Sequence, residues 1–279
     1  MPPTPTMDDL RTVAHDDVLA EAEKRIGQVL DRDHAHYSRF NGTAGFPTAA
    51  GTWVRLAWCR PEQLSSAAWT GIEASVAIKG VPRPRWYAGS QWHDAERGVV
   101  WRVDEMSRAS TSAVSATGSV DQEPDLPARW WVELRHALAG LAGHTTERVC
   151  LRQEHLTARV REVFGDELDT TVTDWACSHG DLGWANVTAP ELILLDWESW
   201  GAAPVGYDAA CLWSASLAVP ALAERVLTEF ADVLETRSGR LSRLMLCANI
   251  ERAQRRSGRL TPLTTQAQTA AKELLRTLA

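Results

Sequence analysis

The stretch HGDLGWAN at His179–Asn186, followed by LILLDWE at Leu192–Glu198, is the most informative part of the sequence. Phosphoryl transfer requires little covalent chemistry from a protein, so its site must supply a carboxylate near the attacking hydroxyl and oxygen ligands for magnesium. Here Asp181 is the candidate catalytic base, and Asn186 and Asp196 are the candidate magnesium ligands. The two segments therefore indicate the chemistry of phosphoryl transfer.

The spacing of these residues fits that chemistry. A base and a metal ligand five residues apart on one short loop, Asp181 and Asn186, can point to the same place. The apolar run from Leu192 to Leu195 predicts a buried strand that ends at Asp196. A capping Asp in an ordinary turn would explain HGD alone, but not the Asn at this interval together with a strand that ends in Asp-Trp-Glu.

Two other interpretations of the same residues are excluded. Ser178, His179 and Asp181 cannot form a hydrolase triad, because triad members come from separate segments of the chain. Cys177 and His179 cannot hold zinc by themselves, and no further Cys or His follows at a suitable spacing. Glu198 either lies by a second metal ion or pairs with a cation, and the sequence leaves both open.

The same residues resemble the aminoglycoside phosphotransferase and choline kinase family, which shares its fold with the protein kinases. His179-Gly180-Asp181 and Asn186 resemble its catalytic loop, with the Asp-to-Asn interval of the kinase pattern HRDxxxxN. Asp196 in LLDWE resembles the magnesium aspartate of the kinase DFG motif. Only the part of the chain from this loop onward to GYDAACLW carries specific motifs.

The resemblance also implies roles for two further side chains. His179 would belong to the catalytic loop as a support for its geometry rather than as a proton carrier. Asp208 in GYDAACLW would stabilise a lobe from a position near the start of a helix.

The fold that the resemblance implies is α+β and two-lobed, protein-kinase-like, with a small strand-rich N-terminal lobe and a larger, mostly helical C-terminal lobe. The stretch SRASTSAVSATGSVDQEP, which follows Met106, is rich in small polar residues and predicts a linker or a flexible connection. We therefore expect an N-terminal lobe over residues 1–106 and a C-terminal lobe over residues 107–279. A nucleotide would bind in the cleft between them, and the hydroxyl substrate would lie against the C-terminal lobe near Asp181.

The N-terminal half must supply the groups that hold the nucleotide. A kinase-like fold needs a cation on its third strand and a Glu on the next helix that orients it. Arg55 in TWVRLAW and Glu73 in GIEASVAIKG are the best-placed pair, although Arg and Lys differ in reach and geometry. Lys79 is the rival cation, but its position fits an exposed charge at a helix end better. Gly42 and Gly45 in NGTAG either approach phosphate or form a plain turn.

Hydrophobic periodicity predicts strands early in the chain and mostly helices later. The expected elements are a helix within residues 8–30, a strand from Trp53, a helix from Ala67 to Ile78, a strand over residues 97–106, helices over residues 126–144 and 151–165, and mostly helix from Asp208 onward.

Composition narrows the class of protein. With 44% hydrophobic and 23% charged residues, the 279-residue chain is typical of a folded globular protein. Its net charge of -7, with scattered basic residues, argues against a nucleic-acid partner. The sequence has neither a long apolar run nor a leader-like N-terminus, which predicts a cytoplasmic protein without a membrane partner. Five cysteines without a CxxC pair are expected to be reduced and mostly buried.

The sequence thus predicts a phosphotransferase that uses Mg²⁺ and moves the γ-phosphate of ATP or GTP onto a hydroxyl of a small molecule. The acceptor stays open: an antibiotic such as an aminoglycoside, choline, homoserine, a sugar or a nucleoside. Arg55 and the weak glycine loop motivate an alternative, a kinase-like protein that binds a nucleotide or a partner without catalysis. A protein kinase proper is disfavoured because no APE segment follows Asp196. The oligomeric state is open.

Overall fold

The computed structural model describes residues 9–38 and 42–278, so Asn41 of the NGTAG segment lies outside the described residues. The chain divides into two compact units. The first comprises Met1–Ala77 and Pro84–Ser110, and the second comprises Ile78–Arg83 and Thr111–Ala279. A lobe boundary near Met106 stays a prediction.

The first unit is built on a five-stranded antiparallel sheet with the strand order β1-β2-β3-β5-β4. Helix α1, at Asp16–Ile26, precedes the sheet, and α2, at Gly71–Ala74, lies in the sequence between β3 and β4. The strands are β1 (His36–Tyr37), β2 (Thr43–Pro47), β3 (Thr52–Cys59), β4 (Trp86–Asp94) and β5 (Val99–Ser107).

The two faces of this sheet differ in chemistry because successive side chains of a strand point to opposite faces. Val54 and Leu56 of β3 and Val103 of β5 belong to an apolar core with residues of α1. Between them in sequence, Arg55 on β3 lies directly opposite Asp104 on β5. The sheet therefore has a core face and a second face that carries charged side chains, which we call the polar face.

The predicted elements of this unit are confirmed in part. Strands occur from Trp53, within β3, and over residues 97–106, as β5. The predicted helix from Ala67 to Ile78 is wrong: only the four residues of α2 are α-helical, flanked by 3₁₀ turns at Ala67–Thr70 and Ser75–Ala77. Ser75 Oγ donates a hydrogen bond to the Ile72 carbonyl, and such local bonding competes with helix propagation. Strand β4 was not predicted.

The second unit is mostly helical, as expected. Its helices are α3 (Ala128–Ala142), α4 (Gln153–Phe164), α5 (Tyr207–Ser216), α6 (Pro220–Glu229), α7 (Ala231–Leu234), α8 (Arg237–Ser257) and α9 (Pro262–Leu278). Helix α8 packs against α4, α5 and α9 and forms the centre of this unit. A two-stranded antiparallel sheet, β6 (Trp175–Ser178) and β7 (Gly201–Pro204), lies between α4 and α5 in the sequence.

Two segments of this unit differ from the prediction. The run from Leu192 to Leu195 is not a strand; Leu194 forms a single isolated bridge to Val187. The connection after β5 is partly fixed, because Val114 N–H donates to the Val187 carbonyl and Ser115 N–H donates to the Trp184 carbonyl, both at 2.9 Å.

All five cysteines are free thiols, and Cys59, Cys177 and Cys247 are buried, as predicted. Within residues 9–38 and 42–278, none of the helices combines the length and the apolar character that a membrane span requires.

Candidate active site

His179, the first residue of the HGDLGWAN loop, follows directly after β6 and is buried. Its Nε2 lies 2.7 Å from the Leu195 carbonyl, and its Nδ1 lies 3.4 Å from the Asp181 backbone N–H. These partners require a neutral ring that carries its proton on Nε2 and accepts at Nδ1. Burial lowers the pKa of His179 and favours the same neutral form. The ring thus joins the loop to the segment that contains Asp196.

Asp208 ties the start of the loop to helix α5. This buried carboxylate accepts the backbone N–H groups of His179 at 2.7 Å and of Gly180 at 2.9 Å. Burial raises the pKa of Asp208, whereas the two N–H donors act in the opposite direction. Its position in the first turn of α5 favours a negative charge through the helix dipole. The loop is therefore fixed at its first two residues.

Gly180 meets two constraints that only glycine satisfies. Its φ of +90° lies in the region that other residues rarely adopt. A Cβ at this position would also lie 2.6 Å from both Cys150 Sγ and the Ser199 carbonyl oxygen. The glycine of HGD is thus required by the packing around the loop.

Asp181 and Asn186, the candidate base and the first candidate metal ligand, are in contact. Asn186 Nδ2 donates to the Asp181 carbonyl at 2.7 Å and to Asp181 Oδ2 at 3.3 Å. The Asp181 side chain is exposed. Because the amide nitrogen of Asn186 is used inside the loop, its Oδ1 is the atom left to act as a ligand. The loop therefore gathers a carboxylate and an amide oxygen at one place.

Asp196, the second candidate ligand, is held close to this loop by its neighbours. Leu195 N–H donates to the Asn186 carbonyl at 2.9 Å, and Trp197 Nε1 donates to the Leu194 carbonyl at 2.7 Å. Asp196 itself is exposed and has a φ of +60°. A left-handed non-glycine residue costs on the order of 1 kcal/mol and is frequent at functional sites. The hydrogen bonds of its neighbours thus hold Asp196 in an unfavourable backbone conformation.

Carboxylate and amide oxygens of this kind suit Mg²⁺, which prefers a few hard ligands and retains water. The candidate set contains only two carboxylates, Asp181 and Asp196, beside the amide of Asn186. In the described part of the chain, no group of three or more His, Cys, Asp or Glu side chains could hold a metal ion.

A cluster of tryptophan side chains packs against the loop, and it was not predicted from the sequence. Trp184, in the middle of the loop, is fully buried and stacks on Trp130 with ring centroids 6.2 Å apart. Trp131 packs edge-on against the same ring, and Trp184 Nε1 donates to Ser216 Oγ at 3.0 Å. These contacts anchor the loop on α3 and α5. The only signal in the sequence was the Trp between the two functional residues.

Glu198 belongs to a segment that Arg148 holds in place. Arg148 Nη2 donates to the Glu198 carbonyl and Nε donates to the Trp200 carbonyl, both at 3.1 Å. The guanidinium also lies 4.6 Å from the centroid of the Trp200 ring. The backbone of Glu198 is thus fixed, and both interpretations of its side chain stay open.

In the first unit, Arg55 lies on the polar face of the sheet, between Gly45 of β2 and Asp104 of β5. Glu73, on α2, accepts a hydrogen bond at 3.0 Å from Nη2 of Arg102, a residue of β5 that sequence reasoning missed. The pairing of Arg55 with Glu73 stays a prediction.

The other candidate groups of the N-terminal half are Lys79 and the two glycines of NGTAG, and their surroundings differ from those of Arg55 and Glu73. Lys79 belongs to the second unit, where its backbone contacts His144. Added Cβ atoms at Gly42 and Gly45 would collide with the rings of Trp58 and Trp53, respectively. These contacts, together with the φ of +58° at Gly42, account for both glycines.

The chain has the α+β, two-lobed, protein-kinase-like fold that its sequence predicts. No family model matches the chain. No curated protein matches it either.

Solved structures of antibiotic kinases share this fold over most of both chains. Amicoumacin kinase hAmiN, in complex with AMP-PNP, Ca²⁺ and Ami, is 12% identical with a TM-score of 0.54, covering 94% of this chain and 93% of its own. Aminoglycoside phosphotransferase APH(4)-Ia is 10% identical with a TM-score of 0.56, covering 95% and 100%. The GDP and kanamycin complex of APH(2")-IIia is 12% identical with a TM-score of 0.53, covering 84% and 90%. The resemblance to aminoglycoside phosphotransferases is therefore confirmed for the fold.

Proposed function

We propose that this protein is a small-molecule phosphotransferase that moves the γ-phosphate of ATP or GTP onto a hydroxyl group of its substrate. One observation carries the proposal. Asn186 donates to Asp181 from its side chain and accepts from Leu195 on its backbone, which gathers Asp181, Asn186 and Asp196 in a kinase-like fold. A base and two oxygen ligands are what phosphoryl transfer requires of a protein.

Asp181 acts as the catalytic base in this proposal. Its exposed carboxylate can accept a hydrogen bond from a substrate hydroxyl, while Asn186 fixes one of its oxygens. His179 belongs to the catalytic loop but is buried and neutral, so it holds the loop rather than exchanging protons. Asp208 serves the same purpose through its two backbone contacts.

Magnesium would be held by Asn186 Oδ1 and the Asp196 carboxylate, whose oxygen donors fit this ion. Bound there, the ion would neutralise negative charge on the transferring phosphate. The residues of the chain then orient the acceptor and keep the loop in one conformation.

Arg55 and Glu73 would serve the nucleotide from the polar face of the first unit's sheet. Solved structures with the same fold hold AMP-PNP or GDP, which supports a nucleotide as the phosphate donor. Because those same structures carry Ami or kanamycin, an antibiotic such as an aminoglycoside is the first acceptor to test.

The test is a nucleotide-turnover screen of the full chain with Mg²⁺ and either ATP or GTP. Acceptors would include aminoglycosides, other antibiotics, nucleosides, amino alcohols and sugars. We expect turnover that requires one acceptor class and disappears in Asp181→Asn. Nucleotide binding without turnover on any acceptor would favour a kinase-like protein that binds without catalysis. Phosphorylation of a generic protein but of no small molecule would indicate a protein kinase.

A further inference from the structure

Residues 111–119, which we call the strap, run beside the HGDLGWAN loop within the second unit. Two N–H groups of the strap donate to carbonyls on either side of Asn186, both at 2.9 Å: Ser115 to Trp184 and Val114 to Val187. The accepting residues lie two positions before and one position after Asn186 in the sequence. The strap therefore holds the backbone that leads into and out of the first candidate metal ligand.

Asn186 and the residues that follow it lie between the strap and the segment that carries Asp196. Two backbone bonds join them to the Asp196 segment: Leu195 N–H to the Asn186 carbonyl at 2.9 Å and Thr188 N–H to the Ile193 carbonyl at 3.1 Å. The intervening residues bond to the strap instead: Val114 N–H to the Val187 carbonyl and Ala189 N–H to the Ser112 carbonyl, the latter at 3.2 Å. Bonds that alternate in this way lie on opposite edges of an extended segment. The candidate ligand is thus held from two sides.

The hydroxyl of Ser115 closes a turn within the strap. Ser115 Oγ donates to the Ser119 carbonyl at 2.6 Å, and Gly118 N–H donates to the Ser115 carbonyl at 3.4 Å. Gly118 has a φ of +76°, which favours glycine. A Cβ built on Gly118 would lie 3.7 Å from Ala185 Cβ, at ordinary contact distance. The turn therefore packs against the residue that directly precedes Asn186.

Core packing does not account for the course of the strap. None of residues 111–119 is buried. Ordering an exposed segment costs conformational entropy, and here backbone hydrogen bonds and one short turn offset that cost. Because the strap covers little apolar surface, it contributes little to the global stability of the unit, and its release should remain local. Its effect is then confined to the backbone that it contacts.

The Trp184 ring has its own anchors, since it stacks on Trp130 and its Nε1 donates to Ser216 Oγ. The loop therefore stays attached to α3 and α5 without the strap. The Ser115 N–H instead fixes the orientation of the peptide group between Trp184 and Ala185. That peptide leads directly into Asn186, so its orientation sets the direction of the ligand.

We infer that Ser115 is a positioning residue of the phosphotransferase site, which orients Asn186 toward the metal through its backbone N–H and through the turn that its hydroxyl closes. The inference rests on the proposed function, in which Asn186 Oδ1 is a ligand of Mg²⁺. Groups that orient a metal ligand typically change metal affinity about 10- to 100-fold when they are removed. Asp208 fixes the first two residues of the loop, and Ser115 performs the corresponding task at its end.

The test titrates free Mg²⁺ in the presence of ATP or GTP and follows nucleotide binding to the full chain by calorimetry, so it requires no acceptor. We expect Ser115→Pro, which lacks the N–H, to raise the Mg²⁺ concentration for half-maximal binding at least about tenfold. Ala116→Pro is the matched control. In the described residues the Ala116 N–H donates no hydrogen bond, and proline is favoured at the second position of a turn. It should keep the wild-type midpoint, and equal midpoints in the two proline variants would overturn the inference.

A second set of variants leaves the backbone unchanged, so it tests the inference even if Ser115→Pro does not fold. Ser115→Ala removes only the hydroxyl, and we expect the Mg²⁺ midpoint to rise about fivefold, as for the loss of one hydrogen bond. Ser115→Thr keeps a hydroxyl and should restore the wild-type midpoint. Ser119→Ala is the control, because the Ser119 hydroxyl forms no hydrogen bond within the described chain. A wild-type midpoint in Ser115→Ala, or an equal rise in Ser119→Ala, would contradict the positioning role.

Urea unfolding of the same variants separates position from stability. Because no residue of the strap is buried, Ser115→Ala should unfold at the urea concentration of the wild type. A loss of stability without a change in the Mg²⁺ midpoint would show a purely structural role and overturn the inference. A wild-type chain that binds neither ATP nor GTP at any Mg²⁺ concentration would overturn the proposed function. A wild-type chain that binds with Mg²⁺ and is matched by its Ser115 variants would overturn this inference alone.

Discussion

The carboxylate of Asp208 accepts the backbone N–H of His179 at 2.7 Å, so the first residue of the HGDLGWAN loop is attached to helix α5. A second oxygen of the same carboxylate accepts the N–H of Gly180 at 2.9 Å. Helix α5 thus fixes the first two residues of the loop.

Asp208→Ala should be severely destabilising. It would leave the N–H groups of His179 and Gly180 without their acceptor, and each unsatisfied buried group costs about 1–3 kcal/mol. Chemical denaturation of the variant should therefore show a loss of about 2–5 kcal/mol. Asp232→Ala, at an exposed position of α7, is the control and should change stability by less than about 0.5 kcal/mol. Equal stabilities would contradict the anchoring role.

His179 should make the protein less stable in acid. Burial lowers its pKa in the folded state below the ordinary value of 6.5, so the unfolded chain binds the proton more readily. Stability then rises with pH across the interval between the folded and unfolded pKa values, and it falls as the pH drops below about 6.5. The slope contributed by one group is at most about 1.4 kcal/mol per pH unit.

Urea unfolding between pH 5 and pH 8 measures this slope. His179→Gln, which retains a donor for the Leu195 carbonyl, should flatten it. His93→Gln, at an exposed position of β4, should leave it as in the wild type. A His179→Gln slope identical to that of the wild type would show that this histidine is not the source.

Two glycines of the loop offer a matched pair of substitutions. Gly180→Ala would place a Cβ 2.6 Å from Cys150 Sγ and the Ser199 carbonyl at a φ of +90°, and should cost more than about 2 kcal/mol. Gly183→Ala meets no heavy atom within 4 Å and should change stability by less than about 1 kcal/mol. Thermal unfolding of both variants tests this contrast, and similar losses would refute it.

The loop was predictable from sequence because its function depends on local spacing. Asp181 and Asn186 are five residues apart in the same loop, and the structure brings the two side chains into contact. The long helices were equally predictable, since their apolar periodicity extends over several turns. Helix α8 and the others of the second unit confirm this.

Features that depend on distant parts of the chain were not predictable. Arg102 meets Glu73 only because β5 pairs with β3 and α2 packs against the same sheet, which no local pattern encodes. The partners of Trp184 come from α3 and α5, far away in sequence. The apolar run before Asp196 resembles a strand in sequence. In the structure, however, its backbone groups form one isolated bridge and individual hydrogen bonds instead of joining a sheet.

Substitutions at the two candidate carboxylates should separate chemistry from binding. Asp181→Asn removes the base and should reduce turnover at least about 10²-fold while nucleotide affinity stays near that of the wild type. Asp196→Ala removes a metal ligand and should weaken the binding of magnesium and nucleotide together. Calorimetry with Mg·ATP or Mg·GTP, combined with turnover, distinguishes the two. Equal losses of binding in both variants would contradict the assigned roles.

Asp196 should also show a conflict between stability and function. Its φ of +60° costs an aspartate on the order of 1 kcal/mol, whereas glycine adopts this conformation without strain. Asp196→Gly should therefore be as stable as the wild type or more stable by up to about 1 kcal/mol, because relief of strain offsets the greater chain entropy of glycine. The same variant should lose magnesium-dependent nucleotide affinity, since the carboxylate oxygens of Asp196 are gone.

Asp196→Asn keeps a short polar side chain that tolerates this backbone and should be intermediate in affinity. Denaturation and calorimetry on the same three proteins test both halves: a destabilised Asp196→Gly would show that the side chain holds the fold, and unchanged affinity would remove Asp196 from the metal site.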